Sequence, residues 1–146
     1  EALESNFISY QKQVISNAKR LSGCLASAGF KIVSGGTDTH LILVDLSNKN
    51  ITGKAAEEAL DLAGITVNKN TVPFETRSPF VTSGIRIGTP ALTTRGMKNR
   101  EMDMIAGMIV QTLEHIDEPS FHNKTRENIR EFCEQFPLYA ELTNKD

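Results

Sequence analysis

One arginine of this chain stands in a run of otherwise apolar and small residues. Arg86 lies in the middle of the strand-like run Gly84 to Gly88. A guanidinium in such a run is costly unless an anion accompanies it, and its planar fork binds a carboxylate through two parallel hydrogen bonds. The spacing leaves two interpretations open: Arg86 binds the carboxylate of a ligand, or it forms a structural ion pair with an internal Asp or Glu.

A second candidate segment precedes this strand. Asn68-Lys69-Asn70-Thr71-Val72-Pro73 combines amide side chains with rigid turns, and the amide of Asn70 can offer a donor and an acceptor to a flat heterocycle. Ordinary turn chemistry explains the same residues equally well. Pro73 and Pro79 prevent regular structure from Asn70 to Phe80, so we expect a long loop here and look for function in it.

Histidines, hydroxyls and acidic residues show no catalytic or metal-ligand spacing. His40 is best explained as a structural histidine at a domain surface. No histidine has a ligand-spaced partner, so no metal site is expected, and no serine or threonine has a base at a recognisable spacing. Three acidic residues on one helical pattern are interpreted as its solvated face: Glu57, Glu58 and Asp61.

The composition fits one soluble domain with a single core. The 146 residues are 39% hydrophobic and 23% charged, and a formal net charge of -2 with scattered cations gives no basic stripe for nucleic acid. No run reaches the roughly 18 apolar residues of a membrane span. Cys24 and Cys133 are expected to be buried free thiols, and the protein is expected to be cytoplasmic.

Hydrophobic periodicity predicts four longer helices around three or four short strands, a class that is α+β or a small α/β sandwich. Thr89 is expected to cap a helix that begins at Pro90. The helices are predicted over residues 1–28, 52–63, 97–116 and 120–136, and the strands at Phe30–Val33, Leu41–Val44, Ile65–Asn68 and Gly84–Gly88.

Four sequence runs occur in a fixed order along the chain. They are Ser34-Gly35-Gly36-Thr37-Asp38-Thr39-His40-Leu41, Asn68-Lys69-Asn70-Thr71-Val72-Pro73, Ser78-Pro79-Phe80-Val81-Thr82-Ser83-Gly84-Ile85-Arg86 and Ile87-Gly88-Thr89-Pro90-Ala91. In order and spacing they resemble serine hydroxymethyltransferase. The similarity extends over nearly the whole chain, from the Tyr10-Gln11-Lys12-Gln13-Val14 helix to Phe136-Pro137-Leu138-Tyr139-Ala140.

This resemblance implies an enzyme that uses pyridoxal 5'-phosphate and tetrahydrofolate to interconvert serine and glycine, working as a homodimer or tetramer. It implies that residues 1–146 are the C-terminal small domain, as in aminotransferase-like enzymes. Residues 1–28 would be a linking helix, and residues 30–140 a mainly antiparallel sheet with covering helices. Because Glu1 enters inside a helical pattern, we expect a fragment without its cofactor-binding large domain.

The resemblance also assigns site residues. Arg86 would bind the carboxylate of serine or glycine, Asn70 would hydrogen-bond the pterin ring, and the turn Ser78-Pro79-Phe80 would line the folate pocket. The segment from Phe74 to Arg77 falls where relatives vary. The family's Schiff-base lysine lies in a Thr-rich run ending His-Lys, which does not occur in these 146 residues, so we predict no catalytic residue and no turnover for this chain alone.

Two other interpretations are considered. The chain could be the small domain of another aminotransferase-like pyridoxal-phosphate enzyme, which would share an arginine for the substrate carboxylate. It could also be a regulatory module that binds an amino acid without catalysis. In the fragment interpretation one face of the opening helix, including Phe7 or Ile8, is expected to be exposed and to invite self-association.

Overall fold

Helices and short strands follow one another along residues 4–138, which are the residues that the computed structural model describes. The helices are α1 (Ser5–Ser27), α2 (Gly53–Leu62), α3 (Pro90–Thr94), α4 (Asn99–Glu114) and α5 (Pro119–Glu134). The strands are β1 (Lys31–Ile32), β2 (Leu41–Asp45), β3 (Asn68–Asn70) and β4 (Gly84–Gly88), and short 3-10 turns lie at Val33–Gly35 and Ser47–Lys49. This order confirms the predicted α+β class.

The strands form one antiparallel sheet in the order β1-β2-β4-β3. In its central ladder Ile42 lies opposite Ile87, and Val44 lies opposite Ile85. Opposed residues of an antiparallel ladder share a face, and these four side chains are buried, so this inner face packs against the helices. The alternating residues, Arg86 among them, belong to the other side, which we call the open face.

One hydrophobic core joins the inner face of the sheet to the helices. α1 and α4 each place a residue into it at every third or fourth position, which is the spacing of an amphipathic helix. These residues are Val14, Ala18, Leu21 and Leu25 in α1, and Met102, Ile105, Ile109 and Leu113 in α4. The predicted amphipathic helices are therefore confirmed, and α1 is part of the core of the domain.

Polar groups of α1 bind the segment that follows β4. The buried Asn17 amide donates to Thr93 Oγ1 at 2.9 Å, and the Val14 carbonyl accepts a hydrogen bond from Thr89 Oγ1 at 2.8 Å. Both bonds satisfy polar groups that burial removes from water. Thr89 occupies the N-cap position of α3 and Pro90 begins that helix, as predicted, but the Thr89 hydroxyl bonds to α1 and makes no capping hydrogen bond.

The third strand begins later than the sequence pattern predicts. Gly64 follows α2 with a φ of +85°, a conformation that glycine adopts readily. Ile65 N then donates to Leu60 O at 2.8 Å, so Ile65 closes the turn that ends α2 and does not start a strand. The predicted strand Ile65–Asn68 is therefore wrong in its bounds, and β3 occupies Asn68–Asn70 instead.

The two cysteines are free, as expected, but they are half-buried and not fully buried. Cys24 lies on α1, and its Sγ donates to Asp103 Oδ1 at 3.2 Å. Burial and this hydrogen bond raise the pKa of the Cys24 thiol. The group is therefore held in its protonated, less reactive form.

Candidate functional site

Arg86 lies on a central strand of the sheet. It stands in the middle of β4, opposite Leu43 of β2 on one side and Asn68 of β3 on the other. Its neighbours along the strand, Ile85 and Ile87, point into the core, and Arg86 itself is exposed on the open face. Hydrogen-bonded strands on both sides thus fix the backbone from which the guanidinium projects.

The charge of Arg86 is unpaired within residues 4–138, where the side chain has neither an ion pair nor a hydrogen bond. The structural ion pair considered above is therefore not formed among these residues. The nearest acid by register is Asp45, which lies opposite Gly84 on the same face. Its carboxylate accepts from Lys31 Nζ at 2.7 Å and from Ser47 N at 2.9 Å.

These contacts also set the ionisation of Asp45. Burial raises its pKa, but the hydrogen bonds from Lys31 and Ser47 more than offset that effect and leave the pKa below its ordinary value. Asp45 is thus ionised and already neutralised by Lys31. Arg86 thus remains a cation on the open face without an ion pair among residues 4–138.

Asn70 lies on the same open face as Arg86. It is the last residue of β3 and pairs with Gly84, two residues from Arg86. Diagonal neighbours of this kind have Cα atoms about 7–8 Å apart, within reach of long side chains. Asn70 Nδ2 donates to Thr71 O at 2.8 Å, which leaves its Oδ1 available as an acceptor. The structure therefore brings these two candidate residues together.

Asn68 belongs to the candidate segment of residues 68–73, but the sequence analysis did not single it out as a neighbour of Arg86. It is exposed, lies directly opposite Arg86, and shares its face. Its own spacing carries no signal, because only the register between β3 and β4 places it there. A polar side chain that can donate and accept therefore flanks the guanidinium.

The turn Ser78-Pro79-Phe80 lies at the surface, in the loop of residues 71–83 that joins β3 to β4. The Ser78 carbonyl accepts from Val81 N at 3.0 Å and from Thr82 N at 2.9 Å, which closes the turn. Phe80 is 81% exposed, and its ring offers an uncovered apolar surface. Within residues 4–138 no hydrogen bond joins the side chains of this turn to Asn70 or Arg86.

Glu75 organises the 71–83 loop, a role that the sequence analysis also missed. Its half-buried carboxylate accepts five hydrogen bonds, from the backbone amides of Val72, Thr76, Arg77 and Ser83 and from the Ser83 hydroxyl. The Ser83 hydroxyl makes the largest contribution to a pKa lowered to about 2. Glu75 is therefore ionised at neutral pH and folds the loop around itself.

The start of α2 packs closely against the end of this loop. Gly53 N donates to Thr82 O at 3.1 Å, and Lys54 N donates to Val81 O at 2.9 Å. A Cβ atom on Gly53 would overlap Thr82 Oγ1 and the Gly84 carbonyl oxygen. Glycine is needed here because two backbone segments approach each other, and the contact fixes the loop just before β4.

Glu57 corrects one sequence prediction, since it is not part of a solvated helix face. It is half-buried on α2 and accepts from Lys69 N at 2.9 Å and Lys69 Nζ at 3.3 Å. The backbone hydrogen bond is the main reason that the pKa of Glu57 is lowered. Glu58 and Asp61 are closer to the expectation: Asp61 is exposed, and Glu58 makes one surface contact of 3.9 Å with Lys54.

One known protein family matches most of the chain. Residues 1–109 match the family model of serine hydroxymethyltransferase. The chain belongs to the serine hydroxymethyltransferase family. The match includes all four strands and most of α4, whereas α5 lies outside it. It confirms the family that the sequence motifs predicted.

The remaining polar residues of this serine hydroxymethyltransferase chain add no second centre within residues 4–138. There, no group of three His, Cys, Asp or Glu side chains is placed to hold a metal ion. His40 is exposed, and His122 is buried with its Nε2 donating to His115 O at 3.0 Å. In the same residues no helix combines the length and the hydropathy that a membrane crossing requires.

Lysines near Arg86 do not fit the attachment of pyridoxal phosphate. Lys69 follows Asn68 on β3, so it points to the other side of the sheet, where its ammonium lies against Glu57. Lys31 shares the open face but binds Asp45 at 2.7 Å. Among the described residues, Lys31 and Lys69 thus each have a carboxylate partner.

Proposed function

We propose that this chain is the small domain of a cytoplasmic serine hydroxymethyltransferase, which interconverts serine and glycine and transfers a one-carbon unit to tetrahydrofolate. In this proposal Arg86 binds the substrate carboxylate, and Asn70 with the Ser78-Pro79-Phe80 turn binds the folate. The observation that carries it is the guanidinium of Arg86, which is unpaired among residues 4–138 and lies on the open face one diagonal step from Asn70, in a chain that matches this family.

Arg86 has the geometry to orient an amino acid. A substrate carboxylate would accept two parallel hydrogen bonds from the guanidinium, which fix the direction of the Cα as well as the charge. The strand backbone is held by β2 and β3, so the carboxylate would be gripped from a rigid element. No internal acid has to be displaced first, because Asp45 is bound to Lys31.

Asn70 and Phe80 suit a flat, nitrogen-rich ring. The free Oδ1 of Asn70 can accept a hydrogen bond from a pterin N–H, while its Nδ2 stays bound to Thr71 O. The exposed Phe80 ring can stack on an aromatic ligand. Asn70 immediately precedes the 71–83 loop and Phe80 lies within it, so a folate would lie along this loop.

The cofactor pyridoxal phosphate would be held by residues outside this chain. Lys69 and Lys31 are engaged by carboxylates, and we propose that the Schiff-base lysine belongs to a large domain that contacts this one. The active assembly would be a homodimer or tetramer, with residues 1–28 linking the two domains. The 146-residue chain alone would then bind no cofactor covalently and show no turnover.

The test is glycine binding by the full-length protein that carries this chain. Two charge-assisted hydrogen bonds are worth roughly 3 kcal/mol together, so Arg86→Ala should raise the Kd for glycine by about 100-fold. Arg86→Lys keeps the charge but loses the planar fork of the guanidinium, so its Kd for glycine should lie between those of wild type and Arg86→Ala. Arg100→Ala is the matched control, because Arg100 is exposed on α4 and is not part of the open face.

Equal glycine affinity in Arg86→Ala and wild type would contradict the assignment of the carboxylate site. The folate assignment is tested separately with Asn70→Ala, which should raise the KM for tetrahydrofolate and leave the Kd for glycine nearly unchanged. A wild-type protein that transfers no one-carbon unit from serine to tetrahydrofolate would contradict the proposed activity as a whole.

A further inference from the structure

Each carboxylate oxygen of Glu75 joins segments that are distant along the 71–83 loop. Oε2 accepts from Val72 N at 3.3 Å and from Ser83 N at 2.8 Å, which are the two ends of the loop. Oε1 accepts from Thr76 N and Arg77 N, and also from Ser83 Oγ at 2.6 Å. One side chain therefore ties the residues after Asn70 to the residue that precedes β4.

The backbone on both sides of these bonds is in an unfavourable conformation. Phe74, immediately before Glu75, has a φ of 61°, and Thr82, immediately before Ser83, has a φ of 56°. Residues other than glycine persist in this left-handed region only where surrounding contacts determine it, and such residues cluster at ligand sites. The Glu75 bonds supply such contacts at both places.

Arg86 does not depend on Glu75 for its position. The strand that carries it is paired with β2 over five residues and with β3 over three, and Ile85 and Ile87 anchor it in the core. The part of the site that would loosen without Glu75 is the loop itself. This loop begins directly after Asn70 and contains the Ser78-Pro79-Phe80 turn.

We propose that Glu75 is a positioning residue for the folate half of the site, acting through the 71–83 loop and leaving the carboxylate half unaffected. This inference rests on the proposed function for the roles of Asn70 and Arg86. It adds a residue that touches neither ligand, and it assigns that residue to one of two substrates.

The decisive variant is Glu75→Gln in the full-length protein. Glutamine has nearly the same shape, but its amide nitrogen donates, so it would meet two backbone N–H groups whichever way it turned. Loss of at least two bonds to a charged acceptor should raise the KM for tetrahydrofolate about tenfold, while the Kd for glycine stays within about twofold. Glu75→Asp keeps the charge and both acceptors and should recover part of the loss.

A second measurement reports on the stability of the 71–83 loop itself and needs no ligand. Hydrogen exchange of the peptides that contain residues 71–83 should be about tenfold faster in Glu75→Gln, with exchange in β2 and β4 unchanged. Glu58→Gln is the matched control, since Glu58 is exposed on α2 and makes only a surface contact with Lys54. It should leave exchange and both affinities as in wild type.

Three results would overturn the role of Glu75. The first is hydrogen exchange of residues 71–83 that is unchanged in Glu75→Gln. The second is an equal loss of folate and glycine affinity, which indicates general unfolding. The third is a KM for tetrahydrofolate that Glu75→Asp does not restore in part. Failure of the proposed function gives a different pattern, because a wild-type protein would then show no tetrahydrofolate dependence at all. If the wild type shows normal folate kinetics and Glu75→Gln shows the same kinetics, only this inference is overturned.

Discussion

Within residues 4–138 Arg86 has no charged partner, and the carboxylates of Asp45 and Glu57 are bound elsewhere. Asp45 accepts from Lys31 and Ser47, and Glu57 accepts from Lys69 on the other side of the sheet. The charge of Arg86 is evident from the sequence. Its lack of a partner within residues 4–138 is not, because the contacts that engage Asp45 and Glu57 join residues 14 and 12 positions apart or depend on a turn. Sequence alone therefore left a structural ion pair open.

The role of Glu75 in the 71–83 loop could not be predicted from the sequence either. Its partners are mostly backbone amides, which every residue carries, so no residue pattern marks the acceptor. Its segment, Phe74 to Arg77, was set aside as variable. Asn70 was a candidate from its amide side chain as well as from the family motifs, whereas Ser78-Pro79-Phe80 was identified only through the motifs, and the ligand contacts of both stay predictions.

The ionisation of Glu75 gives a pH-dependent prediction. Its pKa is lowered from 4.5 to about 2, so it contributes stability that is complete above pH 4.5 and is lost as the pH falls toward 2. The melting temperature of wild type should therefore exceed that of Glu75→Gln at neutral pH, and the difference should shrink across this interval. Thermal melts followed by circular dichroism at several pH values would measure it. A difference that is constant down to pH 2 would contradict the assigned pKa.

At the level of elements, the contact between α2 and the 71–83 loop decides how the site is held. Gly53 gives a sharp prediction here, since a Cβ would overlap Thr82 Oγ1 and the Gly84 carbonyl oxygen. Gly53→Ala should destabilise the chain by about 1–3 kcal/mol, because one of two packed backbones must shift. Urea denaturation measures the change.

Gly107→Ala is the matched control for this prediction. Gly107 lies inside α4, and nothing stands within 4 Å of the place where its Cβ would be. Alanine there should stabilise the chain by about 0.5–1 kcal/mol through helix propensity. Two glycine-to-alanine changes in helices are thus expected to have opposite signs. Equal effects would show that the close approach at Gly53 is not tight.

Elements with strong patterns were predicted closely, and those that depend on distant contacts were not. β4 was predicted at Gly84–Gly88 and is found there, because apolar residues alternate along it between two glycines. β3 was predicted three residues too early, since its pairing with β4 and the Ile65 bond to α2 decide where it begins. The face shared by Asn70 and Arg86 follows from this register and was not accessible from spacing.

The whole molecule is organised around one core that includes α1. Leu21 of α1 is completely buried and belongs to the same cluster as Ile42 and Ile85 of the sheet. Leu21→Ala should therefore destabilise the chain by about 2–5 kcal/mol and unfold helices and sheet together. Urea denaturation of the 146-residue chain, followed by circular dichroism and by methyl NMR signals of the sheet, tests this.

A sheet that stays folded while α1 melts would contradict the single core. The exposed start of α1 supplies the control, because Phe7 is 40% exposed and Ile8 is 44% exposed. Ile8→Ala should change stability by less than about 0.5 kcal/mol. The self-association expected from this end of α1 stays a prediction, which sedimentation of the chain would measure.

The strand order β1-β2-β4-β3 places Arg86 on a strand that is paired on both sides and places the 71–83 loop after an edge strand. The outer strands are short, two residues in β1 and three in β3, and Arg86 sits on an inner strand. A loop exchange that keeps both ends of residues 71–83 and the acceptor at Glu75 would change the surface offered to one ligand and leave the ladder beneath Arg86 intact. The loop at the edge of the sheet could therefore be redesigned for a different ligand while the strands that hold Arg86 stay unchanged.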